Sequence, residues 1–445
     1  MIPYTRQSID ESDIAAVTDV LRSDWLTCGP KVAEFEKQFA DFVGAKHAVA
    51  VNSGTAALHL AMAAAEIGPG NRVITSPNTF LASANCAAYV GATPDFCDID
   101  PITHNLCPIS LGENWKSDTQ AVVAVDYAGQ SADMPAIANV ARSRGAIVIE
   151  DACHAVGGQF SHAGEGWKIG GHPWADMTTF SFHPAKTMTT GEGGMLVTDN
   201  DTYADRARCL RTHGMIRDPD RFTGLVDVSP SPHGKESGGS DAADRCSRTP
   251  HEMHAAINEC GTWSYEMQEL GFNYRMSDFQ CALGLNQLSR VPQFVARRRE
   301  IVKKYNDNLK HLDSVATPQL RNHLDKDRIS WHLYTLRVNF SAIEKTRSQV
   351  MEELRSEGVG TQVLYIPVYL QPWYRRTYGY SLGKCPIAES YYQQSLSLPL
   401  FPSMTNDDIN TVLQSVQRVL RRSGRKAVTT VDSLCETFAH EVFES

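Results

Sequence analysis

From Ala48 to about Asp199 the chain alternates short apolar runs with longer segments of helical spacing, and no other feature limits its fold so sharply. The runs Arg72–Ser76, Thr93–Ile99, Ala121–Asp126, Ala146–Ile149, Met177–Ser181 and Met195–Thr198 read as strands, as does the run opening at Ala48. Between them, Thr79–Tyr89 and Met134–Arg144 read as helices. Near-continuous Val, Ile and Ala mark strands buried on both faces, and strand–helix alternation implies a mostly parallel sheet covered on both sides. Ligands of such sheets bind beyond the carboxyl ends of the strands. The residues just past each run are therefore the first place to look for chemistry.

Three such places stand out. At Asn52-Ser53-Gly54-Thr55 a strand turns into an alanine-rich helix, offering free backbone N–H groups and a hydroxyl to an anion such as phosphate. Asp151 ends the Ala146–Ile149 run, where a buried carboxylate needs a cation. Lys186 follows Thr178-Thr-Phe-Ser-Phe-His-Pro-Ala and precedes Gly191-Glu-Gly-Gly194. An amine on rigid backbone at a partly desolvated strand end is suited to Schiff-base chemistry. Singly, each has a plain alternative: a helix-opening Ser or Thr, a capping Asp, a surface Lys. Together they match pyridoxal phosphate (PLP), which carries a phosphate, a protonated ring nitrogen and an aldehyde.

These motifs, in this order, resemble the DegT/DnrJ/EryC1/StrS family of PLP-dependent aminotransferases, which act on nucleotide-linked keto sugars; the likeness spans about residues 1 to 422. It implies an α/β fold of the aspartate-aminotransferase type, with a large PLP-binding domain at 1–290 and a small C-terminal α+β domain at 291–422. It implies that Lys186 carries the cofactor and moves the substrate proton, and that Gly54 and Thr55 receive the phosphate. Phe80 would stack on the ring, Asp151 pair with the ring nitrogen, His154 contact the ring and Ser181 touch the phosphate. Asn273 would reach that phosphate from a neighbouring subunit, so the resemblance implies a homodimer with shared sites. The amino donor would be L-glutamate.

Within the family, Trp263–Asp278 and Tyr365–Tyr374 look most like the branch that makes UDP-4-amino-4,6-dideoxy-N-acetyl-β-L-altrosamine for pseudaminic acid. Leu364 and Tyr369 stand where that branch has histidines, so a dTDP- or GDP-linked 4-keto-6-deoxyhexose is the alternative acceptor. A non-catalytic PLP-binding protein is the alternative of another class. A dinucleotide-binding oxidoreductase would need G-x-G-x-x-G between a strand and a helix, which this chain lacks there. A deoxygenating relative would carry histidine in place of Lys186.

A net charge of −9, with no basic stripe, argues against nucleic acid. No uncharged apolar run is long enough to cross a bilayer, so no membrane partner and a cytoplasmic location are expected. Eleven cysteines without a C-x-x-C pair suggest reduced thiols. Cys246, His251, His254 and Cys260 fit no standard zinc spacing, so no metal site is expected. The Ser-, Gly- and Pro-rich stretch at 228–258 reads as a mobile surface insertion, and the tail at 423–445 has no assigned role.

Outside the alternating region, Ser8-Ile-Asp-Glu11 reads as a capping box for a helix ending at Leu21, and a second helix is expected at Lys31–Val43. Trp25 in the link between them is left out of the candidate site, a loop tryptophan being as often a packing anchor as a ligand contact. Further on, helices are expected at Phe279–Leu288, Val291–Leu312 and Ser348–Glu357, with strands at Trp331–Phe340 and Gly360–Ile366. Thr405 should cap a last helix ending near Arg422.

Overall fold

The computed structural model describes residues 1–223, 263–321 and 325–421. The insertion, the Cys246/His251/His254/Cys260 group and the tail lie outside these residues. A seven-stranded sheet forms the centre. Its strands are β1 (His47–Val51), β2 (Arg72–Thr75), β3 (Thr93–Phe96), β4 (Thr119–Val125), β5 (Ile147–Asp151), β8 (Met177–Ser181) and β9 (Gly194–Thr198). Between β5 and β8 lies an unforeseen hairpin of β6 (Gln159–His162) and β7 (Glu165–Lys168). The sheet runs β1-β9-β8-β5-β4-β2-β3, and the stretch from β8 through β5, β4 and β2 to β3 is parallel. No helix carries the chain back after β8, so β9 returns antiparallel and pairs with both β8 and β1.

Helices α1 (Glu11–Leu21), α2 (Pro30–Val43), α3 (Gly54–Ala64), α4 (Ala82–Tyr89), α5 (Pro108–Glu113), α6 (Met134–Arg142) and α7 (Asp201–Arg211) surround the sheet. Phe35 and Phe39 of α2 close on Phe182, with ring centroids 5.5 and 5.4 Å away, and Phe39 lies 5.0 Å from Phe180. These buried rings fix the start of the Lys186 loop against the sheet. Alanine-rich α3 is buried along almost its whole length, small side chains letting it lie close to its neighbours.

Four expectations need correction. The α1 cap is Asp10, boxed with Asp13, and not Ser8: Asp10 accepts from the Ser12 and Asp13 N–H groups. The expected helices at Phe279–Leu288 and Val291–Leu312 are one helix, α8 (Asp278–Leu309), running through Pro292. An interior proline costs about 3 kcal/mol in an isolated helix. Leu288, Val291, Phe294 and Val295 are buried around it, and each such side chain gains about 1.5–3 kcal/mol, so packing wins. Gly360–Ile366 is not a regular strand, because only Gln362 pairs with Ser397 before Pro367 ends the segment. At Trp331–Phe340 the strand covers only Tyr334–Val338; His332 turns aside to donate its N–H to the Ala128 carbonyl at 2.9 Å.

A second core forms where the later part of α8 packs on a three-stranded antiparallel sheet of Val315–Ala316, Tyr334–Val338 and Ser395–Leu398. Ile301, Tyr305 and Leu309 of α8 meet Leu336, Val338, Leu396 and Leu398 there. Two helices cover it: Arg347–Ser356, and Asn406–Val419, which Thr405 caps as expected. Among the described residues no helix is long and apolar enough to cross a membrane.

The turn after β4 joins the two cores. Gly129 has φ +95°, and a Cβ there would lie 1.8 Å from the Ser330 carbonyl oxygen and 3.0 Å from that of His154. Both backbones must therefore move if glycine is replaced. Strain at positive φ and overlap with fixed backbone each cost on the order of 1–3 kcal/mol. Gly129→Ala should lower the unfolding free energy by about 3 kcal/mol or more, measured by urea denaturation. A wild-type midpoint would contradict this account of the junction.

Candidate active site

A cavity of about 500 Å³ opens at the carboxyl edge of the central sheet, between the two cores. Val125, Asp151 and Ser181, each the last residue of its strand, reach it from β4, β5 and β8. Ser53, Gly54 and Thr55 reach it from the start of α3, and Lys186 from the loop beyond β8. The opposite wall, His332, Leu333, Gln362, Leu364 and Tyr365, comes from the chain around the second core. Tyr4 and Thr5 close one side.

The α3 entrance is shaped by close approach. Ser53 caps the helix, its Oγ accepting from the Ala56 N–H at 3.1 Å. A Cβ on Gly54 would lie 2.8 Å from the Ser181 Cβ and 3.2 Å from both the Ser181 Oγ and the Cys153 Sγ. Only a bare backbone leaves the Ser181 hydroxyl beside the helix N-terminus. Opposite, the Lys186 loop is pinned by its own hydrogen bonds, with Lys186 N–H to the His183 carbonyl at 2.8 Å and Thr190 N–H to the Phe182 carbonyl at 3.0 Å.

Asp151 is 5% exposed and holds two donors: the Ser83 hydroxyl to Oδ2 at 2.6 Å and the Cys153 N–H to Oδ1 at 3.2 Å. Burial pushes the Lys186 ammonium below its ordinary pKa, opposed by attraction to Cys153 and Asp151. His154 and His332 are buried with ring centroids 4.4 Å apart, and the Nδ1 of each has no partner among the described residues. His154 Nε2 lies 3.3 Å from the Tyr365 hydroxyl. Burial, with Lys186 nearby, holds His154 well below the usual imidazole range. Burial, then His154 and Lys186, does the same to His332. Both rings are therefore neutral.

Seven of the eight residues singled out from sequence line this one cavity: Gly54, Thr55, Phe80, Asp151, His154, Ser181 and Lys186. Phe80 is 54% exposed, and its ring stands 6.3 Å from that of Tyr365. Asn273 is not among them. It is exposed, pairs its backbone with Thr212 and accepts from Asn52 Nδ2 at 3.3 Å. Of the two departures from the resembled branch, Leu364 lines the cavity but Tyr369 does not. Tyr369 is fully buried, its hydroxyl donating to the Glu389 carboxylate and accepting from the Cys385 N–H at 3.3 Å. Its place in the acceptor wall is therefore corrected: it packs an aromatic core with Phe96 and Tyr374.

Sequence reading missed Ser83 and His332, whereas Tyr365 opens the Tyr365–Tyr374 segment already singled out. For Ser83 a signal existed: Thr79 and Ser83 are four residues apart in a segment read as helix, which puts both hydroxyls on one face. His332 arrives by long-range packing and carries no local signal.

The residues present fit pyridoxal phosphate. Open N–H groups beside a serine hydroxyl suit its phosphate, the buried carboxylate suits a protonated ring nitrogen, and the desolvated amine suits its carbonyl carbon.

Comparison with known proteins agrees. Residues 7–417 match the DegT/DnrJ/EryC1/StrS aminotransferase family. The spore coat polysaccharide biosynthesis protein SpsC of Bacillus subtilis is 41% identical over 421 residues, covering 94% of this chain and 97% of that protein. Among solved structures, PseC of Helicobacter pylori, an aminotransferase involved in pseudaminic acid biosynthesis, superposes with a TM-score of 0.77 at 26% identity, covering 94% of this chain and 99% of that one. Spr1654 of Streptococcus pneumoniae, solved in its PMP form, gives 0.80 at 26% identity, with 94% and 99% coverage.

The buried amine has a consequence for stability. Its folded-state pKa lies below the unfolded one, so Lys186 subtracts stability at neutral pH, and the loss fades as pH rises toward the ordinary lysine value. Cofactor-free Lys186→Met should therefore melt above the cofactor-free wild type at about pH 7, with the gap closing toward about pH 10. A lower Tm at neutral pH would show that the ammonium is well solvated.

Proposed function

Because the chain belongs to the DegT/DnrJ/EryC1/StrS aminotransferase family and is a PLP-dependent sugar aminotransferase, we propose that it moves the amino group of L-glutamate to C4 of a UDP-linked 4-keto-6-deoxy-N-acetylhexose. The product in this reading is UDP-4-amino-4,6-dideoxy-N-acetyl-β-L-altrosamine. The observation that carries the chemistry is Lys186, a desolvated amine sharing one cavity with buried Asp151.

When bound, PLP supplies a carbonyl carbon for the amine and a ring that accepts the electron pair left when a substrate proton departs. The N–H groups of Gly54 and Thr55, with the Ser181 hydroxyl, would hold its phosphate. Asp151 would hold the charge of the ring nitrogen, and Phe80 and His154 would contact the ring. Burial eases deprotonation of the Lys186 Nζ, which would take the proton from the glutamate carbon and give it back within the site. After 2-oxoglutarate leaves, the same amine shuttles a proton the opposite way as nitrogen passes to C4 of the sugar. One residue serves both half-reactions, and release of 2-oxoglutarate before the sugar reacts gives ping-pong kinetics.

The acceptor reading rests on the Trp263–Asp278 and Tyr365–Tyr374 segments and on the likeness to PseC. A dTDP- or GDP-linked 4-keto-6-deoxyhexose is the second reading, favoured by Leu364, which presents an apolar side chain to the cavity. We place the enzyme in the cytoplasm; the eight cysteines among the described residues are all free, as in a reducing compartment.

Offered each keto sugar with glutamate, the enzyme should show a kcat/KM for the UDP-N-acetyl sugar about tenfold or more above the others, a gap that one buried hydrogen bond can provide. Release of 2-oxoglutarate is the measurement. A preference for a dTDP or GDP sugar would overturn the acceptor and leave the aminotransferase standing.

The proposal includes a homodimer in which Asn273 serves the partner's site. Asn273 is exposed and does not line its own cavity, and its segment also exposes Trp263, Tyr265, Met267 and Leu270. Mixing inactive Lys186→Ala with an inactive Asn273→Asp variant should therefore recover activity in hybrid dimers, each holding one intact site. A fully active monomer at high dilution would contradict shared sites.

A further inference from the structure

We infer that Ser83, aligned by Thr79, is a positioning residue that fixes the orientation of the Asp151 carboxylate toward the cofactor ring. This inference rests on the assignment of Asp151 to the ring nitrogen.

The two hydroxyls are almost out of water: Thr79 is 3% exposed and Ser83 1%. Ser83 Oγ lies 2.6 Å from Asp151 Oδ2, and Thr79 Oγ1 lies 2.7 Å from Ser83 Oγ. An ionised carboxylate can only accept, so the Ser83 proton points to Asp151. The Ser83 oxygen then accepts from Thr79, and the chain of hydrogen bonds runs one way, from Thr79 through Ser83 to Asp151. Bonds in such a chain polarise one another, and the last one, to a charged acceptor, is of the stronger kind.

Asp151 needs this support. At 5% exposure water gives it little help, and its other donor, the Cys153 N–H, is longer at 3.2 Å. A carboxylate free to rotate would lose its alignment with the ring N–H, and the ring would be a poorer electron sink. The hydroxyl chain works against that rotation. The Ser83 hydroxyl takes one lone pair of Oδ2 and leaves the carboxylate with further lone pairs for the ring N–H. Ser83 stands on α4 and Thr79 just before it, while Asp151 stands on β5, so the orientation of the carboxylate is set by a separate element.

The test uses Ser83→Ala, Ser83→Thr and Thr79→Val, with Asp151→Asn as reference. Two readouts are taken: the Kd of the cofactor-free protein for PLP, by fluorescence titration, and the pH at which the absorbance of the bound cofactor titrates. Ser83→Ala should weaken PLP binding about tenfold, as expected for one hydrogen bond to a charged group. It should also move the absorbance titration in the same direction as Asp151→Asn, by less. Ser83→Thr should restore both, and Thr79→Val should give a smaller shift of the same sign. In turnover, kcat should fall while the KM for glutamate stays near the wild-type value. If Asp151→Asn moves both readouts and Ser83→Ala moves neither, Ser83 has no such role. If Asp151→Asn itself moves neither, the ring-nitrogen assignment fails first. Should Ser83→Ala fold poorly, Thr79→Val decides: an unmoved titration overturns the directed chain.

Discussion

The loss of water around three neighbouring carboxyl groups is the constraint on which this structure turns. Asp126, Glu150 and Asp151 crowd the ends of β4 and β5, and none is more than 5% exposed. Glu150 meets His172 Nε2 at 2.9 Å, the Thr178 hydroxyl at 2.9 Å and the Gly170 N–H at 3.2 Å. Asp126 accepts the Ala132 N–H at 2.8 Å, and its Oδ2 has no partner among the described residues. Burial first, and the Glu150 charge second, push the Asp126 carboxyl well above its usual range. Asp151 alone of the three lines the cavity.

The surrounding elements follow from satisfying that edge. Thr178 bonds Glu150 from within a strand, and Ser83 reaches Asp151 across the sheet from α4. Tyr127, in the turn after β4, donates to the Leu364 carbonyl at 2.7 Å, tying the sheet edge to the far wall of the cavity. Gly129 in the same turn brings the backbone against Ser330. Polar groups that desolvation would otherwise penalise thus become the fasteners between the two cores.

What could be read from the sequence was what local pattern encodes. The strand ends carrying Asp151 and Ser181, the Ser53-Gly54-Thr55 turn and the Lys186 loop follow from apolar runs and the residues that stop them, and the structure brings them to one cavity. The continuity of α8 was not legible because the packing of Leu288, Val291 and Phe294 that carries it through Pro292 is tertiary. Tyr369 misled because two residues of one short motif, Leu364 and Tyr369, stand in different environments, one a cavity and one an aromatic core. His332, and the contact of Tyr365 with His154, were invisible because both are made by tertiary packing, across a sequence separation of 211 residues for Tyr365.

The cavity has two walls of different ancestry within the chain. Groups suited to the cofactor come from the central sheet and its loops, whereas His332, Leu333, Gln362, Leu364 and Tyr365 come from segments around the second core. The two walls meet at one ring, because Tyr365 and His332 both touch His154. A segment grafted at 360–366 would therefore have to preserve that contact to leave the opposite wall undisturbed.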